Sequence, residues 1–447
     1  MRSPASKLFL LLSVIGATAW SQTPVPEGAE FQVNTFTTSA QQQPSVAVDA
    51  GGGFVVVWNS NGSSGTDTSL SSILGQRFAA NGTAQGGEFQ INTYTTYYQN
   101  GPSVSAAANG NFVVVWHSYG SDDTDSSNWS IQGQLFDADG ATVGGEFQIN
   151  SYTTNGQQFP SVAVNTDGTF VVAWTSYGSS DTDTDQSSIQ SQRFDAAGTA
   201  VGDEFQVNTY TTDRQYGLSI GADAAGNFVV VWQSLGSSDT DTASLSVQGQ
   251  RFTADGFAVG GEFQVNTYTT NAQFSPSVGV DDAGSFIVAW VSAGSNLPGG
   301  DTFGVLGRLY DASGVAVGGE FQINTYTIDY QMSPSVGVEA NGDFIVTWDS
   351  NGSSGSDRDS FSIQSQRFTA AGVAVGDEFQ VNTYTTSSQL APSLSVNAAG
   401  EFVVAWQSDG SYDTDTSSFS IHAQRYLASL FADGFESGDT AAWSSMQ

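Results

Sequence analysis

Acidic loops recur along this chain with carboxylates at alternate positions, a spacing that points to divalent-cation chemistry. Nine residues after a recurring tryptophan stands Asp67, Asp125, Asp183, Asp241, Asp357 or Asp415, with Gly299 in that place in the fifth copy. Asp123, Asp181, Asp239 and Asp413 add a second carboxylate two residues earlier, while Asp185, Asp301 and Asp359 stand two residues later. Hard oxygen donors at alternate positions are what Ca²⁺ accepts. No glutamate closes the loop as in an EF-hand, so the expected affinity is weak, ~0.1–1 mM. The competing reading is plain: Asp, Ser and Gly also make ordinary soluble turns.

Other chemistries find fewer parts. The two histidines, His117 and His422, lie in different copies and outside any nucleophile motif. There is no cysteine, and neither GxSxG nor HExxH occurs, so thiol, serine-triad and zincin mechanisms lack their groups. Paired carboxylates for glycoside cleavage exist in principle among 44 acids, but no pair is singled out. The recurring tryptophans (Trp58, Trp116, Trp174, Trp232, Trp290, Trp348, Trp406) would suit sugar stacking. Yet Phe54, Val56 and Trp58 share one strand face, which places the indole in a core. The recurring amides, Asn34 with Asn92 and Gln41 with Gln99 in the first copies, are expected to hold loop backbone. Arg77, Arg193, Arg251, Arg367 and Arg425 are expected to pair with carboxylates.

Departures from the repeat are the better guide to a specific site. Trp129 stands in the second acidic loop, Asp301 closes the aberrant Asn296–Asp301 loop, and Arg214 and Arg358 are the cations of the long loops. These four are the candidate ligand-binding residues.

The elements that must position these groups follow from a 58-residue repeat running without insertion from Pro44. Each unit holds four strand signals, in the first copy PSVAV (44–48), FVVVW (54–58), SILGQRF (72–78) and EFQIN (88–92). FVVVW is apolar on both sides of the pleat, so it must be covered front and back. Radial stacking of four-stranded antiparallel sheets does that, and seven copies predict an all-β, seven-bladed β-propeller. The chain opens on a fourth-strand signal, EFQVN (30–34), and the last blade ends on a third, 420–426. Pairing these two closes the ring and removes its exposed edges. The long connections, NTYTTxxQxxP and the acidic loop, then share one face, the candidate binding face.

Bulk properties narrow the partners. Residues 1–19 read as a secretory signal, with Arg2 and Lys7 ahead of an apolar run too short to span a bilayer. Residues 20–29 read as a linker, 30–427 as the propeller and 428–447 as a tail. A net charge of −34 disfavours nucleic acid and anionic lipid, and nothing calls for membrane insertion.

The motifs FVVVW, GQRF and VGGEFQVNTYTT, with the Gln before PSV, resemble tandem repeats of secreted bacterial proteins over residues 30–426. Many of those are predicted to be surface-associated, and some carry calcium-binding modules; the resemblance implies no catalytic residues. The tail FADGFESGDTAAW is similar to a short C-terminal signature on some secreted bacterial proteins, which implies sorting. The glycine-rich calcium nonapeptide of haemolysin-type repeats is absent. The expectation is a secreted or cell-surface (alternatively periplasmic) monomeric propeller that binds a glycan or protein partner, with Ca²⁺ as its one candidate cofactor. The alternatives are an extracellular glycoside hydrolase or lyase using loop carboxylates, and a purely structural surface protein.

Overall fold

The computed structural model describes residues 23–427, apart from 64, 122–123, 127, 180, 238, 243, 295–301, 354, 359, 412–413 and 416–417. The expected signal and tail therefore lie outside the described residues, as do Asp123, Asp301, Asp359 and Asp413. Seven four-stranded antiparallel sheets form the blades of a closed β-propeller. Blade 1 consists of Gln41–Val48, Phe54–Ser60, Ser72–Phe78 and Ala84–Gln90, and the others repeat it at the sequence period.

Blade 7 takes three strands from the C-terminal side, Gln389–Val396, Phe402–Asp409 and Phe419–Tyr426, and its fourth, Phe31–Gln32, from the N-terminal side. Phe31 pairs with Ala423 and Gln32 with His422, and the Val33 amide donates to the Ile421 carbonyl at 2.7 Å. The pairing begins further upstream than the sequence signal, because Pro26 already bridges Tyr426. Glu30 adds a buried contact to this seam, its Oε1 lying 2.9 Å from His422 Nδ1.

Strand limits differ from expectation at both sheet edges. The fourth strand starts at Ala84 because the Ala79–Thr83 turn is tight, and a shift in register against the third strand absorbs the extra residue. The first strand starts at Gln41 rather than Pro44, with a bulge between Gln42 and Ser45.

The core lies in the seams between blades. Phe54, Val56 and Trp58 pack against Val403, Ala405 and Ile421 of blade 7, while Val55 and Val57 pack against Phe112, Val114 and Trp116 of blade 2. All seven recurring tryptophans are fully buried, as their strand period required. Each removes about 4–6 kcal/mol worth of apolar surface from water. In blades 1, 5 and 6 the indole N–H donates to Gln41, Gln273 and Gln331, so the repeated glutamine does hold buried structure.

A second device links neighbours. Glu88 accepts the backbone amides of Thr35 and Phe36 at 2.8 and 3.2 Å, and Glu146, Glu204, Glu262, Glu320 and Glu378 repeat the contact. Glu30 completes the ring by accepting from Thr383 and Tyr384. The arginines divide. Arg367 pairs with Glu339 and Arg425 with Glu27, but Arg77, Arg193 and Arg251 donate to turn carbonyls of the next blade. Those turns bring backbone oxygens within reach, which the sequence expectation of carboxylate partners overlooked. Glycine permits the approach: a Cβ at Gly140 would stand 2.7 Å from the Arg77 side chain.

Candidate functional site

The acidic loops and the repeated asparagines, read separately in the sequence, are one device. Asp67 is buried and its Oδ2 accepts from Asn92 Nδ2 at 2.8 Å. On the asparagine, Oδ1 takes the amide of Ile73 at 2.8 Å, and Nδ2 also donates to the Tyr94 carbonyl. The same bond joins Asp125 to Asn150, Asp183 to Asn208, Asp241 to Asn266, Asp357 to Asn382 and Asp415 to Asn34, at 2.7–3.1 Å. Each pair fastens the acidic loop to the connection leaving the fourth strand. Burial pushes the Asp67 and Asp183 carboxyls upward, and pushes Asp125 to about 6, with the asparagine bond opposing the shift.

The outer carboxylates Asp181, Asp185 and Asp239 are exposed. Among the described residues no three acidic or imidazole side chains gather as a metal cage. Asp181 Oδ2 accepts from the Gln206 amide and Asp185 Oδ2 from that of Asp213. Arg214 and Arg358 are exposed on different blades, bonding Gln186 and the Gly355 carbonyl. They do not meet Trp129.

Trp129 instead heads a run of aromatic rings across blade 2 on the long-loop face. Its ring lies 5.3 Å from Tyr119, 6.3 Å from Tyr98 and 5.0 Å from His117. Tyr97 extends the run outward, 5.5 Å from Tyr119, and Phe159 extends it inward, 5.2 Å from His117, on the first strand of blade 3. First strands pack against one another around the ring, so Phe159 lies on the axial side. Tyr97 is 52% exposed, Phe159 49% and Tyr98 43%.

His117 is the buried brace beneath. Burial holds its imidazole down to about 3, so it is neutral at physiological pH, and Nδ1 faces the Phe159 amide at 3.4 Å. The ring fits because residue 101 is glycine, where a Cβ would stand 2.6 Å from His117 Cε1.

Two of these aromatics occupy backbone that side chains of their size avoid. Tyr97 has φ 65° and Phe159 has φ 55°. The residues equivalent to Tyr97 are Ser39, Asn155, Asp213, Asn271, Asp329 and Ser387, small polar types suited to the left-handed region. Those equivalent to Phe159 are Gln43, Gly101, Gly217, Ser275, Ser333 and Ala391. A bulky ring there costs about 1–3 kcal/mol, and strain of this kind concentrates at functional sites. Reading the repeat column by column would have found both residues; reading it for recurrent chemistry passed over them.

No protein-family model and no curated protein matches the chain. Among solved structures, a polysaccharide lyase of family PL25, an ulvan lyase, is similar at TM-score 0.51 and 12% identity, covering 91% of this chain and 96% of that one. The same lyase bound to -[GlcA(1-4)Rha3S]- gives TM-score 0.50 at 11% identity, with 91% and 96% covered. An α-L-arabinanase of Penicillium chrysogenum, complexed with arabinobiose, gives TM-score 0.48 at 16% identity, with 73% and 92% covered. At such identities the likeness is one of fold, the β-propeller. Among the described residues no helix is long and apolar enough to cross a membrane.

Proposed function

We propose that this protein is a secreted, non-catalytic propeller that binds neutral glycans by stacking sugar rings on the aromatic run of blade 2. The observation that carries the reading is the pair of exposed aromatics, Tyr97 and Phe159, held in left-handed backbone at the two ends of one contiguous ring cluster. Folding alone favours Asn or Gly there, so the rings answer to something outside the fold. Exposed Tyr and Trp provide rigid, amphipathic contact area at little entropic cost. The ligand class follows from charge: the rings carry no cation, and a net charge of −34 repels sulfated or uronic polymers. Uncharged sugar faces suit such a surface. Both histidines are buried.

Affinity electrophoresis in gels cast with laminarin, linear arabinan, galactomannan or xyloglucan tests the reading. Retardation in at least one gel, weakened in Trp129→Ala with the melting temperature kept, is the expected result. Migration equal to that in plain gels throughout would refute it. Release of reducing ends would assign the face to a carbohydrate-active enzyme instead.

A further inference from the structure

The long-loop face bears a second ring cluster, at the seam of blades 5 and 6. Phe303, just ahead of strand Gly304–Tyr310 in blade 5, lies 5.8 Å from Phe274 at 76° and 5.2 Å from Tyr330 at 35°. Phe274 belongs to the first strand of blade 5, and Tyr330 precedes the first strand of blade 6, Gln331–Val338. A backbone bridge between Phe303 and Tyr330 fixes the pair. Tyr330 is 40% exposed and Ile328 beside it is exposed as well.

This seam is unlike the other six. The residues equivalent to Phe303 and Tyr330 are Ser71 with Tyr98, Trp129 with Gly156, Ser187 with Arg214, Leu245 with Ala272, Phe361 with Ser388 and Phe419 with Ala40. Rings meet across the seam at this position only between blades 5 and 6. Blade 2 and the 5/6 seam stand three and a half blades apart in a ring of seven, hence on opposite sides of the same face. A polymer crossing the face meets both.

From this we infer a second glycan-stacking subsite at Phe274, Phe303 and Tyr330, taking the same neutral polysaccharide as the blade 2 cluster. The inference rests on the glycan reading of that cluster. The two subsites grip one polymer on opposite sides of the face. The second contact is then intramolecular, and avidity for long chains exceeds that of either subsite by ~10²-fold or more.

The test uses the gels above, with Trp129→Ala, Phe303→Ala, Tyr330→Ala and the double variant Trp129→Ala/Tyr330→Ala. Tyr330 is exposed, so its variant keeps the test valid should Phe303→Ala fold poorly; melting temperatures check both. Each single variant is expected to weaken retardation by ~10-fold or more, and the double variant to abolish it. Wild-type retardation in Phe303→Ala and Tyr330→Ala, together with loss in Trp129→Ala, would overturn the second subsite and leave the first standing. Absence of retardation in the wild type overturns both.

Discussion

Replacing Tyr97 by asparagine should move stability and binding in opposite directions. In blade 3 the equivalent Asn155 occupies the same left-handed backbone and donates from Nδ2 to the Tyr177 carbonyl at 3.2 Å. In Tyr97→Asn the introduced amide would find the Tyr119 carbonyl in the same place. A left-handed conformation costs an ordinary L-residue about 1–2 kcal/mol, a cost asparagine reduces by local hydrogen bonding. The new bond contributes about 0.5–1.5 kcal/mol. Against this stands the lost edge contact with Tyr119, about 0.5 kcal/mol for a half-exposed aromatic pair. The balance is a stabilisation of about 1 kcal/mol. Urea unfolding followed by the buried tryptophans reads it as a higher midpoint at unchanged slope. On the same preparation, glycan retardation should fall by ~10-fold, because one stacking ring is gone. A variant that is less stable than wild type, or that binds as well, would refute the claim that strain at Tyr97 is maintained for a ligand.

Three further outcomes follow from the scaffold. Asp349 is buried, its carboxyl pushed by burial to about 6 against Ser333's opposing hydrogen bond. Because the folded value lies above the ordinary 3.8, the ionised group destabilises fully above pH ~6, and protonation relieves this as pH falls toward 4. Asp349→Asn, the amide already found at the equivalent Asn59, should gain up to about 3 kcal/mol at pH 8 and almost nothing at pH 4. Equal gains at both pH values in urea titrations would contradict it. Deleting the chain up to Asn34 removes the fourth strand of blade 7 and the Glu30 contact to Thr383, so a large drop in unfolding midpoint and edge-driven association in light scattering are expected; a wild-type midpoint would show that the ring needs no closure. Calcium at ~1 mM, the range of weak extracellular sites, should leave the midpoint at its value in EDTA, since each deep carboxylate already accepts from asparagine; a calcium-specific rise of several degrees would place the ion in these loops.

The fold was legible because the repeat imposes a single solution. FVVVW demands cover on both faces, and the displaced EFQVN signal at the N-terminus leaves one way to complete blade 7. Strand period also placed the tryptophans correctly in the core. What the sequence concealed was pairing across the period. Asp67 and Asn92 stand 25 positions apart on different connections, and Glu88 reaches Thr35 in the neighbouring blade, so neither partnership is visible along a single unit. The candidate binding surface was only partly legible. Trp129 stood out as a departure, but Tyr97 and Phe159 gain their meaning from backbone geometry. A bulge at each first strand and a turn before it impose positive φ, and at those two positions of the repeat only these blades carry an aromatic ring.

Whether the blade 2 rings bind an uncharged sugar surface can be read at the rings themselves. Neutral oligosaccharides would be titrated into protein ¹³C-labelled at aromatic side chains and followed by NMR. Shifts at Tyr97, Tyr98, Tyr119, Trp129 and Phe159, accompanied only by those of the second cluster at Phe274, Phe303 and Tyr330, with the seam tryptophans such as Trp58 unmoved, are the predicted result. Shifts elsewhere on the ring without these residues, or none with any neutral glycan that retards the protein in gels, would contradict it.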